Sequence, residues 1–263
     1  MLYFFYFREG YLSGLSSSPS FATNYHSMDH SALLKITEDF DAPLYVYDAE
    51  KIASQFERLT NAFSGVGRLR LNYAAKALSN IAILRLMNHL GAGLDTVSIQ
   101  EVKLGLIAGF RPEAIIFTPN GVSLEEIEEA SALGVQINID NLSILEQFGS
   151  KFPHVPVCIR INPHVMAGGN SNISVGHIDS KFGISIHQIP HLLRIVELTD
   201  MNINGIHMHT GSDILDIDVF LYASEILFDT AKNFKDLEFI DFGSGFKVPY
   251  RAGDIETNIE ELG

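Results

Sequence analysis

From Pro43 onward, short apolar runs alternate with stretches in which apolar residues recur every three or four positions. The stretch AEKIASQFERLTNAF shows the second pattern, with Ile52, Phe56, Leu59 and Phe63 on one face of a predicted helix. After PLYVYD, a short β-rich run, come a strand ending near Tyr73 and then GLDTVS, AIIFTPN, VQINID, VPVCIRINP, INGIHMHTGS and LEFIDFGSGF. These runs are nearly all apolar, as in strands covered on both faces. Helix signals fill the gaps: NIAILRLMNHL, a start at Ser98 with Glu101 three residues on, another at Ser123 with Glu126, one near Asn141, then HQIPHLLRIVEL and VFLYASEILFDTAKNF. Serine with glutamate at the third following position is a capping box, which satisfies two of the unpaired donors at a helix start.

Seven strands counted from Leu69, each but the last followed by a helix, predict an α/β fold with a parallel sheet. No G-x-G-x-x-G follows the first strand, so a dinucleotide-binding, doubly wound sheet fits poorly. A (β/α)8 barrel of the TIM type fits better, and 263 residues is near the usual size of one. KVPYRAGDIETNIEELG reads as a loop and the start of a helix, so the barrel is expected to be truncated after its seventh strand, with open edges on the first and seventh. Ahead of it, MLYFFYF is too short for a membrane span and lacks the basic start of a signal peptide, while SGLSSSPSFATNYHS is polar and rich in small residues. Residues 1–28 are thus expected to be a disordered extension and residues 29–263 the barrel domain.

Charge narrows the partners. Eighteen Lys and Arg against 32 Asp and Glu give a net charge of −14, which repels nucleic acid and anionic membrane surfaces and leaves small molecules as the expected partners. The one cysteine, Cys158, has no intrachain mate and sits mid-strand in VPVCIRI, where a buried residue is expected. This usage points to the cytoplasm.

In a (β/α)8 barrel the C-terminal ends of the strands build the active site. Polar residues there are Lys76 after the first strand, Asp95 in the second, Asn120 after the third, Asp140 after the fourth, Arg160 in the fifth, His209 and Ser212 after the sixth, and Gly243, Ser244 and Gly245 after the seventh. Alone, Lys76 reads as a solvated loop residue and Glu101 as a helix cap. Together, a lysine, an arginine, a histidine and a glycine-rich loop converge on one rim. Glycines let backbone N–H groups close on an anion, and barrels often hold phosphate in the loops after strands seven and eight. A lysine facing a phosphate pocket suggests pyridoxal phosphate, whose aldehyde reacts with an amine. A side chain at Gly245 is then expected to intrude where the phosphate oxygens sit. No metal site is expected.

NYAAKA with Lys76, GAGLDTVSIQE with Asp95 and Glu101, SKFGI with Lys181, HMHTGS with His209 and Ser212, and DFGSGF follow one another in this order. In these motifs and their spacing the chain resembles the alanine-racemase-type (group IV) pyridoxal-phosphate decarboxylases from about Pro43 to Gly263, and within them the diaminopimelate decarboxylases most. The resemblance implies that Lys76 carries the cofactor as a Schiff base and that His209 stacks on the pyridine ring. It implies that Ser212 and the Gly243–Ser244–Gly245 loop hold the phosphate, with Asp95, Glu101 and Arg160 as a supporting polar shell. The implied reaction is decarboxylation of meso-2,6-diaminopimelate, an amino acid, to L-lysine and CO2 by a homodimer. The resemblance also implies parts beyond this chain: a Glu-Pro-Gly-Arg loop after an eighth strand, and a C-terminal β-domain bearing a cysteine motif that Cys158 does not replace. PLYVYD would pair with that domain. On this reading the chain is an N-terminal portion, at best weakly active alone. A relative acting on carboxynorspermidine or ornithine, and a barrel that binds the cofactor without catalysis, are the other readings. Lys181 belongs to the pattern without an implied role.

Overall fold

The computed structural model describes residues 2–7, 30–166, 180–251 and 253–263. Its strands are β1 (Leu2–Phe7), β2 (Leu69–Ala74), β3 (Gly93–Thr96), β4 (Ile115–Phe117), β5 (Gln136–Ile139), β6 (Val157–Asn162), the two-residue β7 (Ile184–Ser185), β8 (Ile203–Met208) and β9 (Phe239–Gly243). The helices are α1 (His30–Phe40), α2 (Ala49–Ala62), α3 (Ile81–His89), α4 (Ile99–Ala108), α5 (Leu124–Ala132), α6 (Leu142–Lys151), α7 (Ile189–Thr199), α8 (Ile217–Ala231) and the single turn α9 (Ile259–Leu262). All seven expected strands are present. They pair in parallel in the order β2-β3-β4-β5-β6-β8-β9, while β7 extends the sheet beside the end of β6.

The eighth place in the ring belongs to β1. It runs antiparallel to both neighbours, with Leu2 opposite Tyr73 on β2 and Phe7 opposite Phe239 on β9. This corrects two expectations. Leu2–Phe7, inside the stretch read as disordered, form a strand, and residues 8–28 lie outside the described residues. The edges of β2 and β9 are paired, not open. LYFFYF is five aromatic residues after one leucine, a composition of high strand propensity, and two edges one strand apart offer it backbone partners on both sides. PLYVYD, read as a strand, forms none: residues 43–48 run irregularly into α2, with Tyr45 90% exposed. The ring is complete without it. Helix α1, which the pattern did not announce, has no buried residue.

Capping fixes where the helices begin. Asp48, Asn80, Ser98, Ser123, Asn141 and Asp216 each accept a backbone N–H in the first turn of α2 to α6 and α8. Only the second expected capping box is complete, at Ser123 and Glu126. In the first, Ser98 accepts from Glu101 N, but the Glu101 carboxylate takes Val97 N at 2.8 Å in place of Ser98 N. Arg58 binds Glu256 and Glu260, at 3.3 and 2.6 Å, and so ties α2 to α9.

Two apolar regions hold the barrel. The larger lies between strands and helices and includes Leu84, Leu94, Phe117, Ile137, Phe148, Ile159 and Leu227. The smaller is a plug of Ala74, Ile116, Cys158 and Phe239, one residue each from β2, β4, β6 and β9. Alternate strands supplying one interior layer is the rule for such barrels. Gly205 makes room for the plug, since a Cβ there would come 2.4 Å from the Phe239 ring. Among the described residues no helix is long and apolar enough to cross a membrane.

Candidate active site

Side chains of a strand alternate between faces. Two residues beyond Ala74, Ile116, Cys158 and Phe239, toward the C-terminal mouth, stand Lys76, Thr118, Arg160 and Asp241. Asp95, Asn138 and His207, all buried, come from the intervening strands. Above its apolar plug the barrel is therefore polar.

Strand β2 ends at Ala74, and one 3-10 turn, Ala75–Ala77, carries Lys76 before Asn80 caps α3. The Tyr73 hydroxyl donates to the Leu78 carbonyl at 3.1 Å and holds the turn. Lys76 as a residue is open to solvent, yet its amine lies within the electrostatic reach of Asp95, Arg160 and Glu101. Partial loss of water, with repulsion from Arg160, outweighs the attraction of Asp95 and Glu101 and lowers its pKa below the ordinary lysine value. Glu101 thus holds a backbone N–H and also faces Lys76.

Asp95 is only 3% exposed. Burial raises its carboxyl to about 7; Asp241 adds to the rise, while a hydrogen bond from Thr118 and the charges of Lys76 and Arg160 oppose it. Asn138 Nδ2 in turn donates to Thr118 Oγ1 at 3.0 Å. Arg160 is buried with its guanidinium 4.9 Å from the centre of the Phe182 ring, over which Lys181 Nζ also stands at 5.1 Å. SKFGI therefore lies along the end of β6. Gly183 permits this: its φ is +80°, and a Cβ would come 3.0 Å from Asn162 N. Asn120 Nδ2 donates to Asp140 Oδ2 at 2.5 Å and to the Lys181 carbonyl at 3.3 Å, so these two strand-end residues hold that segment.

The loops after β8 and β9 are stitched together. Ile214 N donates to the Gly245 carbonyl and Lys247 N to the Ile214 carbonyl, each at 3.0 Å. At Gly243, with φ +66°, a Cβ would come 2.4 Å from the Met208 carbonyl; at Gly245, with φ +114°, it would come 2.0 Å from the Gly211 carbonyl and 3.4 Å from Ser212 Cα. This corrects the expectation for Gly245: a side chain there strikes the backbone of the neighbouring loop. His209 is buried, which drives its pKa well below the ordinary value; Arg160, Lys76 and His207 add to this, and a hydrogen bond to the Ser244 backbone opposes it.

The structure thus brings Lys76, Asp95, Glu101, Arg160 and His209 into one electrostatic neighbourhood and sets Ser212 against the Gly243–Gly245 turn. Asp95 Oδ2, Thr210 Oγ1 and Ser244 Oγ are buried with no hydrogen-bond partner among the described residues. Such atoms are rarely left unpaired, and they suit a polar ligand at this mouth. Among the described residues no group of three or more His, Cys, Asp or Glu could hold a metal ion. Sequence reasoning passes over Phe182, His207 and Asp241. The available signal was period two, since His207 precedes His209, and Asp241 precedes Gly243, by one strand repeat.

A barrel with a lysine at its mouth beside a glycine turn defines a class. Residues 49–263 match the family described as pyridoxal-dependent decarboxylase, pyridoxal binding domain, and the chain belongs to that family. Within it the chain is 36% identical over 236 residues to diaminopimelate decarboxylase of Methanothermobacter thermautotrophicus, covering 87% of this chain and 55% of that one. It is 32% identical over 232 residues to diaminopimelate decarboxylase of Escherichia coli K12, covering 87% and 54%. The solved structure of the Helicobacter pylori diaminopimelate decarboxylase complexed with L-lysine superposes with a TM-score of 0.77 at 30% identity, covering 88% of this chain and 60% of that one. The chain spans about half the length of the first two relatives.

Proposed function

We propose that the chain is the cofactor-binding part of a pyridoxal-phosphate-dependent decarboxylase that converts meso-2,6-diaminopimelate to L-lysine and CO2. The observation that carries this is the meeting of the Lys76 amine with Asp95, Arg160 and His209 at the barrel mouth, next to the Gly243–Ser244–Gly245 turn. Lys76, its pKa lowered, gives up its proton more readily than an ordinary lysine and so offers its amine to the cofactor's aldehyde. His209, held neutral, offers the flat face of an imidazole; Ser212 and the backbone N–H groups of the turn would hold the phosphate. Asp95 and Arg160 set the charge around the amine. When bound, the cofactor supplies an electron sink for the bond to the departing carboxylate. A proton then replaces the lost CO2, which balances the reaction. The substrate is supported by relatives that are diaminopimelate decarboxylases, one of them complexed with L-lysine. A cytoplasmic homodimer, completed by the length that the relatives have in addition, belongs to the same proposal.

Incubation with pyridoxal phosphate, borohydride reduction and peptide mapping should label Lys76, and Lys76→Ala should remove the label. Labelling at Lys103 or Lys181 would overturn the assignment. Lysine release from meso-diaminopimelate, measured on a version extended to the relatives' length, tests the substrate; turnover of ornithine in its place would refute it.

A further inference from the structure

One row of buried polar residues crosses three neighbouring strands just below the mouth. Arg160 on β6 is in register with His207 on β8, and His207 with Asp241 on β9. His207 Nδ1 lies 2.6 Å from Asp241 Oδ2, with their side chains 1% and 2% exposed. The other oxygen, Asp241 Oδ1, accepts the backbone N–H of Gly243 at 2.8 Å. One carboxylate oxygen thus lies against the imidazole on β8, and the other is bonded to the first residue of the glycine turn.

We propose that His207 and Asp241 are a positioning pair that fixes the Gly243–Gly245 turn against β8, so that its N–H groups are held ready for the phosphate of the cofactor. The inference rests on the cofactor reading above. Gly243 needs such a hold. It sits at positive φ, pressed close to the Met208 carbonyl and to His209, and a turn in that conformation persists only where its surroundings fix it. Asp241 supplies the fixing bond, and His207 supplies the fixed point. His207 also stands two residues before His209, which follows the end of β8, so one pair sets both the proposed ring-stacking imidazole and the proposed phosphate turn. Burial drives each partner toward its uncharged form, His207 well below and Asp241 well above the ordinary pKa. Both shifts favour a pair that adds no net charge beside Arg160. Apolar residues of similar volume usually serve stability as well as or better than such a buried pair, which argues that this one is kept for geometry.

Pyridoxal, which lacks the phosphate, separates a phosphate-positioning role from general support of the fold. The purified protein is titrated by absorbance with pyridoxal phosphate and with pyridoxal, and the ratio of the two dissociation constants is compared among variants. Asn puts a nitrogen near the place of His Nδ1, whereas Gln puts one near Nε2. His207→Asn should therefore keep the wild-type preference for the phosphate, while His207→Gln and Asp241→Ala should lower it about tenfold, the scale of one buried hydrogen bond, with pyridoxal affinity little changed. Should Asp241→Ala fail to fold, the His207 pair still decides the question. An unchanged ratio in His207→Gln, or an equal loss of both affinities, overturns the proposal while the cofactor reading stands. A wild-type protein that takes up neither compound overturns both.

Discussion

Burial lifts the Asp95 carboxyl to about 7 in the folded barrel, against about 3.9 for an unperturbed aspartate. Between those values the folded state keeps a proton that the unfolded chain has released. The stability that Asp95 contributes is therefore complete below about pH 3.9 and is lost as pH rises through about 7. Asp95→Asn, nearly the same shape and never charged, should stabilise the ligand-free protein at pH 8 by up to ~4 kcal/mol and leave it almost unchanged at pH 4. Urea unfolding at the two pH values checks this, and an equal change at both would detach the effect from ionisation. Lys76, Arg160 and His209 were legible in the sequence because such residues at strand ends stand out against apolar runs. His207 and Asp241 were not, because period two puts them on the face of His209 and Gly243 but does not say that each has its partner on the next strand.

At the level of elements, the glycine turn and an ordinary loop glycine should behave differently. Gly245 has φ +114° and backbone 2.0 Å from an added Cβ, whereas Gly67, between α2 and β2, has nothing within 4 Å. Gly245→Ala should cost about 2–4 kcal/mol, the scale of a buried clash combined with backbone strain. Gly67→Ala should stay within about 1 kcal/mol of wild type. Thermal unfolding of the two variants is the measurement, and similar midpoints would show that the loops after β8 and β9 can part at little cost. The seven parallel strands were readable because burial on both faces leaves near-continuous apolar runs. PLYVYD carries the same composition and forms no strand, because a β-rich segment becomes one only where an edge is free to receive it. β7 was hidden by its two-residue length.

For the molecule as a whole, β1 decides whether the sheet is a ring. Removing residues 1–28 deletes it and leaves β2 and β9 with unpaired backbone along one side each, edges that pair readily with another chain. The shortened protein should unfold at a lower temperature and associate on size-exclusion chromatography. A monomer with an unchanged midpoint would show that β1 contributes nothing to closure. This part of the fold was not legible, since no local pattern in MLYFFYF names partners at Tyr73 and Phe239. The pairing also gives folding an order. Each parallel strand meets its neighbour soon after it is made, but the seam joins Phe7 to Phe239 across nearly the whole chain. Contacts that distant form late, because closing so long a loop must be offset before they stabilise anything. The last contacts to form are commonly the first to open. Amide protons along β1 and the facing sides of β2 and β9 should therefore exchange with deuterium sooner than those of β4 to β6, and the barrel should unzip from this seam.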